Sequence, residues 1–329
     1  MQAAKKQAGG TLLATFRKVK ESRWTMRLAP VAILVALMVL FAVWTGGRFV
    51  TAVNVKIILD QALIIATVAT GAAFIFATGN VNIAMGACTA LTATITAKAY
   101  LSTNSLPVMI LVAVVFGALL LLLCAFLSTI FKVRVMFVTI VMMVLLENIK
   151  SEILDGETLS LPFEMTSWLQ DAGFSYIIFV LFFLFCAVIF HFTSVGRAIR
   201  FTGSNMICGE QTGIFRNKYL VIAFVIAGVG VGLGSLLTIA RSGSITASTA
   251  SSMNMDCMLA IVLGGMPVFG GSKSRAYAAV VGALTVTVLN NGLLMVGVSS
   301  TILQGVRGVL FLLLVLMSNG RPDVLPARD

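Results

Sequence analysis

Ser194-Val195-Gly196-Arg197-Ala198-Ile199-Arg200-Phe201-Thr202-Gly203-Ser204-Asn205, continuing through Gly209-Glu210-Gln211-Thr212-Gly213-Ile214 to Arg216-Asn217-Lys218, is a polar interruption between two apolar stretches. Apolar residues fill 174–193 before it and 219–240 after it. Each stretch has about the 20 residues that an α-helix needs to cross a bilayer. Four basic residues stand against the single acid Glu210, so this is a sizeable basic loop between spans. The pattern predicts a bundle of membrane helices that turns one basic segment towards a partner in the cytoplasm.

Composition agrees. Apolar residues make up 59% of the 329 and charged residues 11%, against about 25% charged in a soluble domain. Mean hydropathy is +1.04. The alternation of a transmembrane β-barrel strand is absent, so the fold class is an all-α polytopic membrane protein. The five cysteines (Cys88, Cys124, Cys186, Cys208 and Cys257) are scattered, and His191 is the single histidine. No disulfide framework or zinc site is expected from that spacing.

Ten stretches qualify as spans: 28–45, 57–77, 83–99, 108–131, 135–154, 174–193, 219–240, 256–270, 277–296 and 301–318. Two of them, 83–99 and 256–270, are short and rich in small residues, as re-entrant or broken helices are. With the N-terminus inside, 17 of the 23 Lys and Arg residues fall on the cytoplasmic side. The longest outward loop carries Asp155, Glu157, Glu164 and Asp171. Positive charge inside orients membrane proteins, so about ten helices with both termini cytoplasmic are expected. The division is a cytoplasmic tail over 1–27, a membrane domain over 28–318 with its special segment at about 196–218, and a cytoplasmic tail over 319–329. The N-terminal tail reads as uncleaved, because a full-length span follows it without a clear small-residue cleavage site. The net charge of +11 is spread along inner membrane edges, which argues against nucleic acid as a partner.

Two glycine patterns mislead. Gly265-Met266-Pro267-Val268-Phe269-Gly270-Gly271-Ser272 nearly matches a phosphate-binding loop, but Gly271 stands where lysine is needed and Lys273 comes two residues late. Gly228, Gly230, Gly232 and Gly234 sit inside an apolar span as two overlapping GxxxG pairs. Small residues at that spacing let helices approach closely in lipid.

Polar groups within spans are costly, and they are usually paired or functional. Glu147 and Lys150, three apart on one helix, are placed to neutralise each other. Asp256 and Arg307 lack sequence-local partners, which makes them candidates for a mutual salt bridge. Asn290-Asn291-Gly292 can offer donors and acceptors to hydroxyl groups. Thr78-Gly79-Asn80-Val81-Asn82-Ile83-Ala84-Met85-Gly86 separates two spans with almost no loop. It reads either as a helix break exposing backbone groups to a cavity or as an ordinary turn at the inner surface.

At these residues the chain resembles the permease subunits of ATP-binding cassette (ABC) importers of the ribose/monosaccharide type. Gly196-Arg197, Gly203, Asn205 and Gly213-Ile214 match that family's cytoplasmic coupling segment in order and spacing. So do Asp256, Gly264-Gly265, Gly270-Gly271, Gly282-Ala283-Leu284, Asn290 with Gly292, Gly297-Val298-Ser299 and Gln304. There are departures. The usual Gly-Gly-Ile-Asp-Leu-Ser-Val-Gly is here Gly79 to Gly86, with Asn82 and Ala84 for the acid and the hydroxyl. In the coupling segment, Cys208-Gly209 replaces paired alanines and Glu210 stands where a basic residue is common.

The resemblance implies a permease working as a homodimer or with a similar permease. A cytoplasmic ABC ATPase would dock on Gly196, Arg197, Gly203, Asn205, Gly209, Glu210, Gly213 and Ile214, and an extracytoplasmic sugar-binding protein would deliver the substrate. Asn80, Asn82, Asp256, Asn290, Asn291 and Gln304 would line the substrate pathway. No cofactor is implied on this chain, since ATP and Mg²⁺ belong to the ATPase. Residues 205–214, bounded by Gly203 and Gly213, suit a short helix with flexible ends and Asn205 as its N-cap. Arg197, Arg200, Arg216 and Lys218 would hold it at the acidic lipid surface or against the ATPase. The alternatives are a branched-chain amino-acid or nucleoside permease of the same superfamily, or a self-contained secondary carrier. One histidine and dispersed carboxylates give no acid/base pair for an enzyme.

Overall fold

The computed structural model describes residues 25–162, 172–267 and 270–318. The N-terminal tail up to residue 24, the loop acids Glu164 and Asp171, and the tail from 319 lie outside the described residues. Each of the ten apolar stretches corresponds to a helix. In chain order the helices are α1 (Thr25–Trp44), α2 (Ala52–Ala77), α3 (Met85–Thr103), α4 (Leu106–Ile130), α5 (Val135–Leu154), α6 (Ala172–Phe192), α7 (Ser194–Ser204), α8 (Met206–Gln211), α9 (Arg216–Ser242), α10 (Met253–Leu263), α11 (Ala276–Met295) and α12 (Ser300–Ser318). Two two-residue strands, β1 (Leu159–Ser160) and β2 (Ser244–Ile245), pair antiparallel.

In lipid every backbone polar group must be satisfied internally, and an apolar helix does this unaided. Among the described residues α2, α4, α6, α9 and α11 are long and apolar enough to cross a membrane by themselves. The chain is therefore an all-α, multi-pass membrane protein. Helix ends follow local chemistry. Pro107 lies in the first turn of α4, where its missing N–H is not needed. Asn104 and Asp155 close α3 and α5 in the left-handed conformation, the usual place for a short polar side chain or glycine.

The centre of the bundle is α9 against α2 and α4, and the alternating glycines of α9 divide the work between two faces. A Cβ on Gly228 would lie 2.5 Å from the Cα of Ala118 and 2.7 Å from the carbonyl oxygen of Gly117, both on α4. Gly232 likewise meets Ala113 and Val114. Gly230 and Gly234 turn the other way, towards Thr67, Gly71 and Val68 of α2. The GxxxG pairs are packing surfaces, as read.

Of the two stretches read as short, only one is. α3 runs on to Thr103, whereas α10 has 11 residues and rises about 16 Å, roughly half a bilayer core. Residues 78–84 carry no helix, yet Asn82 is 1% and Ala84 0% exposed. The stretch opens with an exposed turn at Gly79 and then packs Asn82 and Ala84 inside the bundle. Asn254 at the start of α10 accepts a hydrogen bond from the Gly86 N–H at the start of α3. The Ile83 N–H donates to Thr139 Oγ1 of α5 at 3.3 Å. Two neighbouring elements thus satisfy backbone groups that the break leaves open.

Candidate functional site

The basic interruption folds into two short helices joined at a single residue. Thr193 Oγ1 accepts from the Gly196 N–H at 3.3 Å and caps α7. Gly196, Ala198, Ile199 and Thr202 are buried while Arg197 and Phe201 are exposed, so α7 is amphipathic. Asn205 then leaves helical geometry at φ −154°, ψ 107°, and its Oδ1 accepts from the Cys208 N–H at 3.2 Å. The expected N-cap is present. At the far end of α8 the Ile214 N–H donates to the Gly209 carbonyl and the Gly213 N–H to the Glu210 carbonyl, with Gly213 at φ +80°. This is a glycine-terminated helix stop. Cys208 and Glu210 are exposed on α8, and Gly209 is buried against the Phe201 ring.

One expectation fails. Gly203 is no flexible hinge, because it lies within α7, and a Cβ there would collide with the Ala77 carbonyl oxygen and approach the Gly271 amide nitrogen to 2.8 Å. The chain bends two residues later, at Asn205. The Gly271 N–H donates to that same Ala77 carbonyl at 3.2 Å, and the Ser272 N–H donates to Ser204 Oγ at 2.7 Å. The end of α7 is thereby pinned to the end of α2 and to the loop before α11. Within the false phosphate loop, Gly265, Gly270 and Gly271 adopt positive φ and serve structural turns.

The pathway candidates fall into three groups. Asp256, Asn290 and Arg307 form a closed buried cluster. Arg307 Nε lies 3.2 Å from Asp256 Oδ1 and donates to Asn290 Oδ1 at 2.9 Å. Asn290 Nδ2 donates to Asp256 Oδ1 at 3.2 Å, and Ser252 Oγ to Asp256 Oδ2 at 3.1 Å. Both amide atoms of Asn290 are therefore engaged by protein. Asn82 and Asn291 form the second group. Asn82 Oδ1 accepts from the Ala84 N–H at 2.8 Å, but its Nδ2 is buried without a hydrogen-bond partner, as is Asn291 Oδ1. The remaining two are separate: Asn80 Nδ2 donates locally to Thr78 Oγ1 at 2.9 Å, and Gln304 is exposed on α12.

The Glu147–Lys150 neutralisation does not form as an ion pair. Lys150 is 3% exposed and its Nζ donates to the Ala247 carbonyl at 2.6 Å, across to the segment before α10. Near the end where β1 meets β2, a cavity of about 250 Å³ is lined by Lys56, Asp60, Ser175 and Arg241. Among the described residues no cluster of metal-ligating side chains occurs.

A family model described as the branched-chain amino acid transport system / permease component matches residues 54–316. The chain belongs to that family. This permease is 29% identical to the ribose import permease protein RbsC of Escherichia coli K12 over 298 residues, covering 87% of this chain and 92% of the relative. It is 26% identical to the galactofuranose transporter permease protein YtfT of the same organism, over 80% of this chain and 79% of the relative. It is also 26% identical to the autoinducer 2 import system permease protein LsrC of Photorhabdus luminescens, over 88% of each chain. No solved structure matches. The resemblance to ribose/monosaccharide-type permeases is borne out.

Sequence reasoning missed Asn254 and Ser252 of this permease, because both precede the assigned span 256–270. The available signal was Asn254 two residues before Asp256, leading into an apolar run. It also missed the threonines of α3. Thr89, Thr92, Thr94 and Thr96 are fully buried, and the hydroxyls of Thr92 and Thr96 have no partner.

Proposed function

We propose that this permease forms the translocation pathway of an ABC importer for a monosaccharide or related small sugar in a bacterial plasma membrane. It works as one of two permease subunits, with some ten membrane helices and both termini in the cytoplasm. The observation that carries the reading is α8, a capped and glycine-stopped helix whose parent α7 is pinned to the ends of α2 and the α10–α11 loop. A partner ATPase seated on α8 can push on the bundle through those contacts. ATP and Mg²⁺ act on the ATPase, and an extracytoplasmic binding protein presents the sugar. Transport then rests on differential binding to two conformations.

The relatives named for ribose and galactofuranose support a sugar. Asn82 Nδ2, Asn291 Oδ1 and the hydroxyls of Thr92 and Thr96 on α3 supply buried, uncommitted hydrogen-bonding groups of the kind hydroxyl-rich solutes need. The coupling role of Gly196, Arg197, Gly203, Asn205, Gly209, Glu210, Gly213 and Ile214, and the pathway role of Asn80, Asn82, Asp256, Asn290, Asn291 and Gln304, belong to this proposal. The family's description favours a second reading, a branched-chain amino acid as cargo. Reconstitution with its ATPase and binding protein in proteoliposomes decides between them. ATP-dependent uptake of labelled ribose or another aldose, unaffected by leucine, is expected; uptake of leucine alone would replace sugar with amino acid.

A further inference from the structure

The second basic feature of the α7 end lies beside α8, not on it. A cavity of about 350 Å³ is lined by His191, Arg200, Ser272, Ser274, Arg275 and Tyr277. Neither arginine forms an ion pair with a carboxylate among the described residues, where the ion pair present is Arg307–Asp256. Arg200 Nε donates only to the Gly196 carbonyl at 3.3 Å, and its guanidinium stands 5.3 Å from the Phe190 ring centre. Arg275 contacts the Tyr277 hydroxyl and lies 5.7 Å from that ring. Ser274 is 0% exposed and its hydroxyl has no partner. Two uncompensated guanidiniums beside an unused buried hydroxyl make a site for an anion with several acceptor oxygens, and phosphate suits arginine's planar fork.

A second cavity, a groove of about 550 Å³, is walled by the same Arg275 and Tyr277. Its walls include Pro30, Ile33, Leu263, Ala278 and Leu314, with Lys273 at the rim. A free phosphate would leave this apolar groove unused. A ligand that fills both is charged at one end and long and apolar at the other. We propose that these two cavities bind one anionic phospholipid, its phosphate between Arg200 and Arg275 and an acyl chain along the groove between α1, α10 and α12. Basic pockets between membrane helices recognise lipid head groups in this way. The leaflet rests on the orientation proposed above, whereas the site itself does not. Because Arg200 belongs to α7, the lipid would brace the helix that carries α8.

Native mass spectrometry of delipidated, detergent-purified permease titrated with phosphatidylglycerol or phosphatidylcholine tests this. Wild type should retain phosphatidylglycerol at least tenfold more than phosphatidylcholine. Arg200→Gln with Arg275→Gln should abolish that preference, and Lys132→Gln with Arg134→Gln, basic residues outside the site, should keep it. Leu314→Trp, which fills the groove while sparing the arginines, should also lose the lipid, so the result does not depend on recovering the arginine variant. Equal retention of both lipids by wild type, or unchanged retention in Leu314→Trp, overturns the proposal. Displacement of phosphatidylglycerol by millimolar inorganic phosphate would mean a small-anion site instead. Retention in detergent is blind to sidedness, so a wrong orientation leaves this result standing and is caught by labelling.

Discussion

Arg307 on α12 and Asp256 on α10 form an ion pair of 3.2 Å with both side chains under 10% exposed, and Asn290 of α11 bridges them from the side. Three successive helices, α10, α11 and α12, are tied together by one charge pair and the amide that bridges it. Removing one member leaves the other charged and buried, which costs about 3–5 kcal/mol, while replacing both with apolar residues of similar size is far milder. Asp256→Leu and Arg307→Leu should each lower the melting midpoint in detergent sharply. The double variant should recover most of the loss. Equal loss in the double and single variants would show that the pair is not what these side chains supply.

The buried amides should separate by their partners. Asn290→Leu breaks the cluster and should cost stability. Asn291→Leu removes an acceptor that no protein group uses, and Asn82→Leu removes an unused Nδ2 together with the acceptor of the Ala84 N–H, so both should impair uptake, with some loss of stability in the Asn82 variant alone. A lost hydrogen bond to a buried hydroxyl is worth about 1–3 kcal/mol, which predicts roughly a tenfold rise in KM or more. Wild-type transport from both variants would return these amides to packing.

Orientation can be read from a native residue. Cys208 is exposed, whereas Cys88, Cys124, Cys186 and Cys257 are buried. A membrane-impermeant maleimide should modify Cys208 in inside-out vesicles and not in intact cells. Bound ATPase should protect it. Labelling from outside would invert the topology.

Gly209→Trp forces a bulky ring between α8 and Phe201 of α7 and should displace α8, spoiling the face that a partner meets. The variant should insert normally while ATPase co-purification and substrate-stimulated hydrolysis fall together. Unchanged ATPase binding and transport would move the coupling site away from α8.

Gly203→Val should separate docking from transmission. Its side chain would strike the Ala77 carbonyl and prise α7 from the end of α2, a strain of about 1–3 kcal/mol by analogy with overpacked cores. The ATPase should still bind, but uptake per ATP hydrolysed should fall. Normal coupling in a folded variant would remove the α7–α2 contact from the transmission route.

Much of this was legible because lipid imposes strong local rules. Ten apolar stretches correspond to ten helices, and the α9 glycines and the Asn205 cap act as their spacing requires. Local chemistry could not tell that Gly203 is a packing residue, since a hinge and a close contact both call for glycine, and only the position of Ala77 separates them. Lys150 illustrates the same limit. Glu147 lay at the right spacing, yet a carbonyl 97 residues away, at Ala247, takes the ammonium. The ionic cluster was half visible, because a buried charge demands a partner without saying which neighbour, such as Asn290, will come between.

The bare faces of α9 have a further consequence for motion. Where two helices touch backbone to backbone, as α9 does with α4 at Gly228 and Gly232 and with α2 at Gly71, few side chains stand between them to rearrange, which favours movement of the three as one strut. Whatever opens a route through the membrane has to happen along the seams around that strut, at the unwound stretch before α3 and beside the half-length α10, where side chains and loops can still rearrange. Engineering a faster or a locked transporter would then begin at those seams and leave the strut alone.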